Sequence, residues 1–340
     1  MKRSRLLVPV SAAATLLLGA AVLPTTAQAR PFWPKPPRPG SSSSTPTPTP
    51  TTSTPTPTPT SSTPTPSPTS SGPAAPCGDP VAKAGGGDWT CTFDDEFNGT
   101  ALDTSKFIPI NSSASGANGG GACFVDSPNN ISEGNGVLTL TVRKEAAPFV
   151  CATPGGGFST QYTSGEVATY TKFSQTYGRF AVRASFPAST VAGLQSALWL
   201  WPNNPLTYGA WPASGEIDIA EEYSLYADRA IPYIHYLYDP YTVSTLTNTN
   251  LATNNFCMIT DVHAMHEYVV EWTPTTMTII YDGQTCLVDN YSAYNLTGSK
   301  PFDQPFFVAL TQSLGAGGNA ITASTPLPAS TQIDYVRVWK

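Results

Sequence analysis

The sequence has 340 residues, a formal net charge of −6, only 12% charged residues, 40% hydrophobic residues, 34 prolines and six cysteines. So acidic a chain carries no basic footprint for nucleic acid or anionic lipid, which excludes those partner classes. With the polar first part set aside, roughly 260 residues remain, enough for one all-β domain with a sizeable core.

Residues 1–29 read as an export signal: MKRSR is basic, LLVPVSAAATLLLGAAVL is apolar, and AQA supplies small residues at a cleavage site near Ala29. The expectation is a secreted, extracellular protein with no membrane contact after cleavage. The alternative is a cell-surface protein on a retained anchor, since the apolar run sits near the lower limit for a span. Residues 30–76 are rich in proline, threonine and serine, with TPTPTPTP-like runs that bury too little apolar surface to offset their ordering entropy. They form a linker of extended polyproline character, either a free arm or a stalk.

The folded domain, expected to be catalytic or binding, is then 77–340. All six cysteines (Cys77, Cys91, Cys123, Cys151, Cys257 and Cys286) fall inside it. An even count in an exported chain argues for disulfides, and no tight C-x-x-C spacing invites a metal. Pairing of sequence neighbours gives 77 with 91, 123 with 151 and 257 with 286. No apolar period of 3.6 residues persists over a helical length. Two-residue alternation instead recurs in VLTLTVRK (137–144), GRFAVRASF (178–186), HEYVVEWT (266–273), TMTIIYDG (276–283) and QIDYVRVWK (332–340). Gly134-Asn135-Gly136 and Asp282-Gly283 are turn signals. The fold expected is an all-β antiparallel jelly-roll sandwich.

The chemistry concentrates in WPASGEIDIAEEY (211–223), where Glu216, Asp218, Glu221 and Glu222 fall within seven residues. On a strand, alternate side chains share a face, so Glu216 and Asp218 point one way while Ile217 and Ile219 enter a core. A straight strand would add Glu222 to the carboxylate face; a β-bulge near Ile219 or Ala220 would add Glu221. Parity alone leaves both open. Two crowded carboxyls, one ionised and one holding a proton, are what glycosidic cleavage uses, and crowding like charges keeps one protonated near neutral pH. Trp199, Trp201, Tyr208, Trp211, Tyr223 and Tyr226 flank the run and suit the apolar faces of sugar rings. A G-x-S-x-G nucleophile motif is absent, and His235, His263 and His266 lack an evident serine partner.

GEIDIAE resembles the active-site strand of glycoside hydrolase family sixteen in its bulged E-x-D-x-x-E form. The resemblance extends over 88–340 through WTCTFDDEFNGTALDTSKF, YGRFAVRASFP, HEYVVEWTP, YDGQ and TQIDYVRVWK. It implies a concave substrate cleft in that sandwich and a retaining, double-displacement endo-glycosidase with Glu216 as nucleophile, Asp218 as helper and Glu221 as acid/base. It further implies substrate contacts from Trp211, Trp199, Arg179, Asn130 and His235, with Gln312 a substitute contact where the family carries asparagine. A structural calcium near Glu96 and Asp334 is implied on the far face, with no cofactor needed for catalysis. The expected activity is hydrolysis of internal β-1,3 bonds in laminarin-like glucan, with mixed-linkage glucan secondary, by a monomer. An agarose-like galactan, transglycosylation, and a noncatalytic carbohydrate-binding protein are the alternatives. The family's W-P-A-F-W is replaced by Gln195, Ser196, Ala197, Leu198 and Trp199, Ala181 replaces a glutamate, and LTQSLG replaces an asparagine-bearing run. These departures fall on the substrate contacts the resemblance implies and bear on which glycan is taken.

Overall fold

The computed structural model describes residues 76–238 and 252–340. The export segment and all of the linker except Pro76 lie outside the described residues. Within them the chain forms β1 (Cys91–Asp95), β2 (Ile108–Pro109), β3 (Cys123–Phe124), β4 (Ile131–Gly134), β5 (Val137–Cys151), β6 (Phe158–Ala168), β7 (Gly178–Ser185) and β8 (Leu194–Pro202). There follow β9 (Glu216–Tyr223), β10 (Ile231–His235), β11 (His266–Trp272), β12 (Met277–Tyr281), β13 (Gln284–Asp289), β14 (Phe306–Leu314) and β15 (Ala329–Trp339). The only α-helix among the described residues is the four-residue Ser112–Ser115.

The strands run in the order β10-β9-β8-β14-β6-β5-β15-β7-β11-β12-β13. The first five make one antiparallel sheet and the last six a second. The β5–β6 hairpin carries the chain from one to the other, because β5 pairs with β15 through its first half and with β6 through its second. Each sheet turns one set of alternating side chains inward. Leu198, Leu200, Ile217, Ile219, Val308 and Leu310 come from the first sheet, and Phe180, Val182, Tyr268, Val270 and Ile279 from the second; together they form one buried cluster. Trp272 on β11 and Phe306 on β14 meet edge-to-face across it at 5.3 Å. Burying such apolar surface from both sheets is the dominant stabilisation of a sandwich.

Local sequence sets the turns. Asn135 and Gly136 (φ +56° and +76°) join β4 to β5, and Asp282 and Gly283 (φ +47° and +76°) join β12 to β13. Two consecutive left-handed residues match the twist of the flanking strands, which is why Asn-Gly and Asp-Gly occupy these positions. Disulfides join Cys77 to Cys91, Cys123 to Cys151 and Cys257 to Cys286. They close loops at the start of the domain, across the β3–β5 region, and between the segment after the undescribed 239–251 stretch and β13.

Candidate active site

The decisive local feature is a bulge in β9. Against β8, Leu198 pairs with Ala220 but Trp199 pairs with Asp218, and against β10, Ile231 pairs with Glu221 but Tyr233 with Asp218. Both ladders skip one residue of β9 at the same place, so Ile219 is the extra residue. Glu216, Asp218, Glu221 and Tyr223 therefore share the outward face of the first sheet, while Ile217, Ile219, Ala220 and Glu222 are buried on the other. A bulge leaves ladder groups without strand partners, and here the buried Tyr281 hydroxyl, reaching from β12 of the opposite sheet, donates to the Ile219 carbonyl at 2.8 Å. Gly215, at φ +85°, precedes the strand where a Cβ would lie 2.7 Å from Phe302. Only glycine satisfies both the backbone angle and the space at the entry to Glu216.

The three carboxyls differ in their partners. Glu216 Oε2 accepts the Trp211 indole N–H at 2.5 Å. Asp218 Oδ2 lies 3.0 Å from His235 Nε2. Glu221 Oε1 accepts two hydrogen bonds, from Gln195 Nε2 and from the Tyr223 hydroxyl, each at 2.7 Å. Tyr233 stacks on the His235 ring at 3.8 Å, and Trp211 lies 5.3 Å from it. Trp199 and Trp201 share the same sheet face, edge-to-face at 5.8 Å.

Burial, with the repulsion of Asp218, pushes Glu216 up to about 8, against the lowering influence of His235 and Trp211. Burial also raises Asp218, reinforced by Glu221, and raises Glu221 against its two hydrogen-bond donors and His235. Three carboxyls this close cannot all ionise near neutral pH, so they titrate as a unit that retains protons. Such a unit can hold one carboxylate as nucleophile and one carboxylic acid as proton donor. Glu216, Asp218 and His235 also have ligand atoms within 4.8 Å of one another, a spacing a cation could use. Catalysis by paired carboxyls does not require one.

Of the site residues expected from sequence, Glu216, Asp218, Glu221, Trp211, Trp199 and His235 come together on this face. Arg179 does not. It lies on β7 in the second sheet, opposite Glu271 and Trp339 in register. Its guanidinium donates to Glu271 at 2.7 Å and Glu267 at 3.4 Å and sits over the Trp339 ring, so its charge is engaged on the outer face. Gln312 does not join them either. It is fully buried between the sheets, where its Oε1 accepts from Ser196 and Thr331. Asn130 is buried too, and its amide donates to the Thr141 carbonyl and Thr163 hydroxyl, tying β5 to β6.

The calcium expectation fits these side chains poorly. Both Glu96 oxygens accept from Arg337, at 2.7 and 2.8 Å, and Asp334, the extra residue of a bulge in β15, pairs with Arg183. A cation would have to displace two guanidinium groups.

Sequence reasoning passed over two site residues, Gln195 as a ligand of Glu221 and Tyr233. For the first, the sequence signal was its departure from the family's tryptophan; its place opposite Tyr223 comes from the strand pairing. It also passed over Glu166, a fourth carboxyl on this face. Thr311 bridges it to Trp199, donating to Glu166 at 3.1 Å and accepting the indole N–H at 2.9 Å. Burial raises Glu166 to about 7.

Comparison with known proteins bears on this geometry. The family model described as glycosyl hydrolases family 16 matches residues 122–337. Glucan endo-1,3-beta-glucosidase A1 of Niallia circulans is 31% identical over 264 residues, covering 72% of this chain and 37% of that protein. Keratan-sulfate endo-1,4-beta-galactosidase of Sphingobacterium multivorum is 31% identical over 181 residues, covering 53% of this chain and 40% of that one. The chain thus spans about two fifths of the length of these two relatives. The X-ray structure of the laminarinase from Rhodothermus marinus superposes with a TM-score of 0.60 at 27% identity, covering 74% of this chain and 97% of that one. With the matching model spanning well over half of the sequence and the sandwich shared with a laminarinase, the chain belongs to glycosyl hydrolases family 16.

Proposed function

We propose that this protein is an exported, retaining endo-glycosidase that hydrolyses internal β-1,3 bonds of laminarin-like glucan and, secondarily, mixed β-1,3-1,4 glucan. The reading rests on one observation above others: a single bulge gives Glu216, Asp218 and Glu221 a common face beside Trp211, Trp199 and Trp201. Glu216 is the nucleophile, whose carboxylate attacks the anomeric carbon while the glycosidic oxygen takes the Glu221 proton and departs. The resulting glycosyl ester is opened by water, which gives a proton back to Glu221 as the Glu216 carboxylate leaves. Asp218 holds the proton distribution between them. The basic, apolar and small-residue start of the chain supports export, and monomer is the working state.

A galactan is the second substrate reading, favoured by the keratan-sulfate-acting relative. Against a sulfated substrate stands the composition of the sheet itself. Strands β6, β8, β9, β10 and β14 contain no lysine or arginine to meet sulfate groups.

Reducing-sugar release should be measured on laminarin, barley glucan, agarose and carrageenan, with Glu216→Gln and Glu221→Gln alongside. Release from laminarin that both variants lose by at least a hundredfold is expected. Undiminished activity of either variant overturns the assignment of roles, and release from agarose alone overturns the glucan reading.

A further inference from the structure

The hydrogen bonding around Glu221 is one-sided. Gln195 Nε2 and the Tyr223 hydroxyl both donate to Oε1, at 2.7 Å each, and none of the described hydrogen bonds engages Oε2. A carboxyl oxygen offers two lone-pair sites, so Oε1 is saturated as an acceptor and has no place for the acid proton. The cross-strand register builds this arrangement. Gln195 on β8 lies opposite Tyr223, and Ala197, opposite Glu221, is small enough to let the carboxyl lie against both donors. Gln195 is itself anchored, its carbonyl accepting from Gln312 at 3.2 Å and Ser313 at 3.3 Å.

We propose that Gln195, together with Tyr223, is a positioning residue that fixes which oxygen of Glu221 carries and delivers the proton. The proposal rests on the catalytic reading of Glu221 given above. With Oε1 holding two donors, the proton of the acid resides on Oε2, the oxygen left for the leaving group. After transfer the same two donors stabilise the new carboxylate, ready to receive a proton from water. The polar residue at 195 thus takes up a role in proton handling at a position where the family motif has tryptophan. Other titratable groups also face Glu221. Asp218 and Glu216 lie on its own strand, His235 approaches from β10, and Tyr281 approaches from the opposite sheet. A substitution at 195 leaves all of them in place, so the change it produces belongs to the lost donor.

The test compares wild type, Gln195→Met and Tyr223→Phe. Methionine keeps the length without a donor, and phenylalanine removes one hydroxyl. Each loss withdraws a hydrogen bond to the charged form. The basic limb of the kcat/KM profile on laminarin should move upward by about one pH unit, with kcat down about tenfold and KM little changed. Glu221 should also be titrated directly by carbon-13 NMR of glutamate-labelled protein, its resonance identified by its loss in Glu221→Gln. The same upward displacement is expected in both variants. An unmoved Glu221 titration in both overturns the proposal. If wild type cleaves no glucan, the hydrolase reading fails, but the NMR titration still decides the role of Gln195. Should Gln195→Met fail to fold, Tyr223→Phe reads the same oxygen.

Discussion

Glu222 offers a test of the sandwich interior that does not depend on any substrate. The bulge turns it inward, where it is fully buried and neither carboxyl oxygen has a hydrogen-bond partner. Burial alone raises it from 4.5 to about 8. A carboxyl that holds its proton more tightly folded than unfolded lowers stability as pH rises, because the folded state must stay protonated or bury a bare charge. The penalty is absent below pH 4.5, grows between there and about pH 8, and is complete above. At 1.36 kcal/mol per pH unit the interval amounts to about 5 kcal/mol, an upper figure. Glu222→Gln keeps the shape and removes the titration. Its own cost, a buried amide, does not vary with pH. Denaturant unfolding of both proteins at a series of pH values should show the variant gaining relative to wild type by about 4 kcal/mol between pH 5 and pH 8. A difference that stays flat across that range would mean Glu222 is hydrated or paired, and the argument from burial would fail.

Three further predictions concern the site and its supports. Tyr281→Phe strands the Ile219 carbonyl in the core and should cost about 1–3 kcal/mol in denaturant unfolding, with kcat falling more than KM changes, because the bulge that aligns Glu221 loses its tether. Trp211→Phe withdraws the donor to Glu216, so the acidic limb of kcat/KM should shift to higher pH; an unchanged limb would show that the indole is not paired with Glu216 in solution. A chelator should leave the thermal midpoint unmoved, since Glu96 and Asp334 are held by Arg337 and Arg183; a drop of several degrees on chelation would show that an ion displaces those pairs.

The second sheet was the easier half to read. Its strands β5, β7, β11, β12 and β15 keep a period of two in the sequence because one face packs on the core and the other carries charged residues such as Arg179, Arg183, Glu267 and Glu271 beside a small apolar cluster of Ala181, Val269, Tyr335 and Trp339. The first sheet blurs that signal. In β8 and β14 the outward face holds Trp199, Trp201, Phe307 and Ala309, so apolar residues appear at both parities and the alternation fades. The turns were legible from Asn-Gly and Asp-Gly because their chemistry is local.

The site divides along the same line between local and distant information. Period-two parity put Glu216 and Asp218 on one face, but it could not choose between Glu221 and Glu222. A bulge is held by partners far away in sequence, here the Tyr281 hydroxyl 62 residues on. The same limit explains Arg179 and Gln312. Each lies on a strand in the expected place along the chain, yet whether a strand face meets solvent, substrate or the other sheet depends on which neighbours it pairs with. Arg179 pairs into the second sheet, where Glu271 neutralises it. Gln312 lies on the correct sheet but at the inward parity, one residue from Thr311, which does face outward beside Trp199. Gln195 was visible as a departure from the family's tryptophan, and only the register opposite Tyr223 turns that departure into a hydrogen bond on Glu221. Residue type names what a side chain can do, and strand register decides to what it does it.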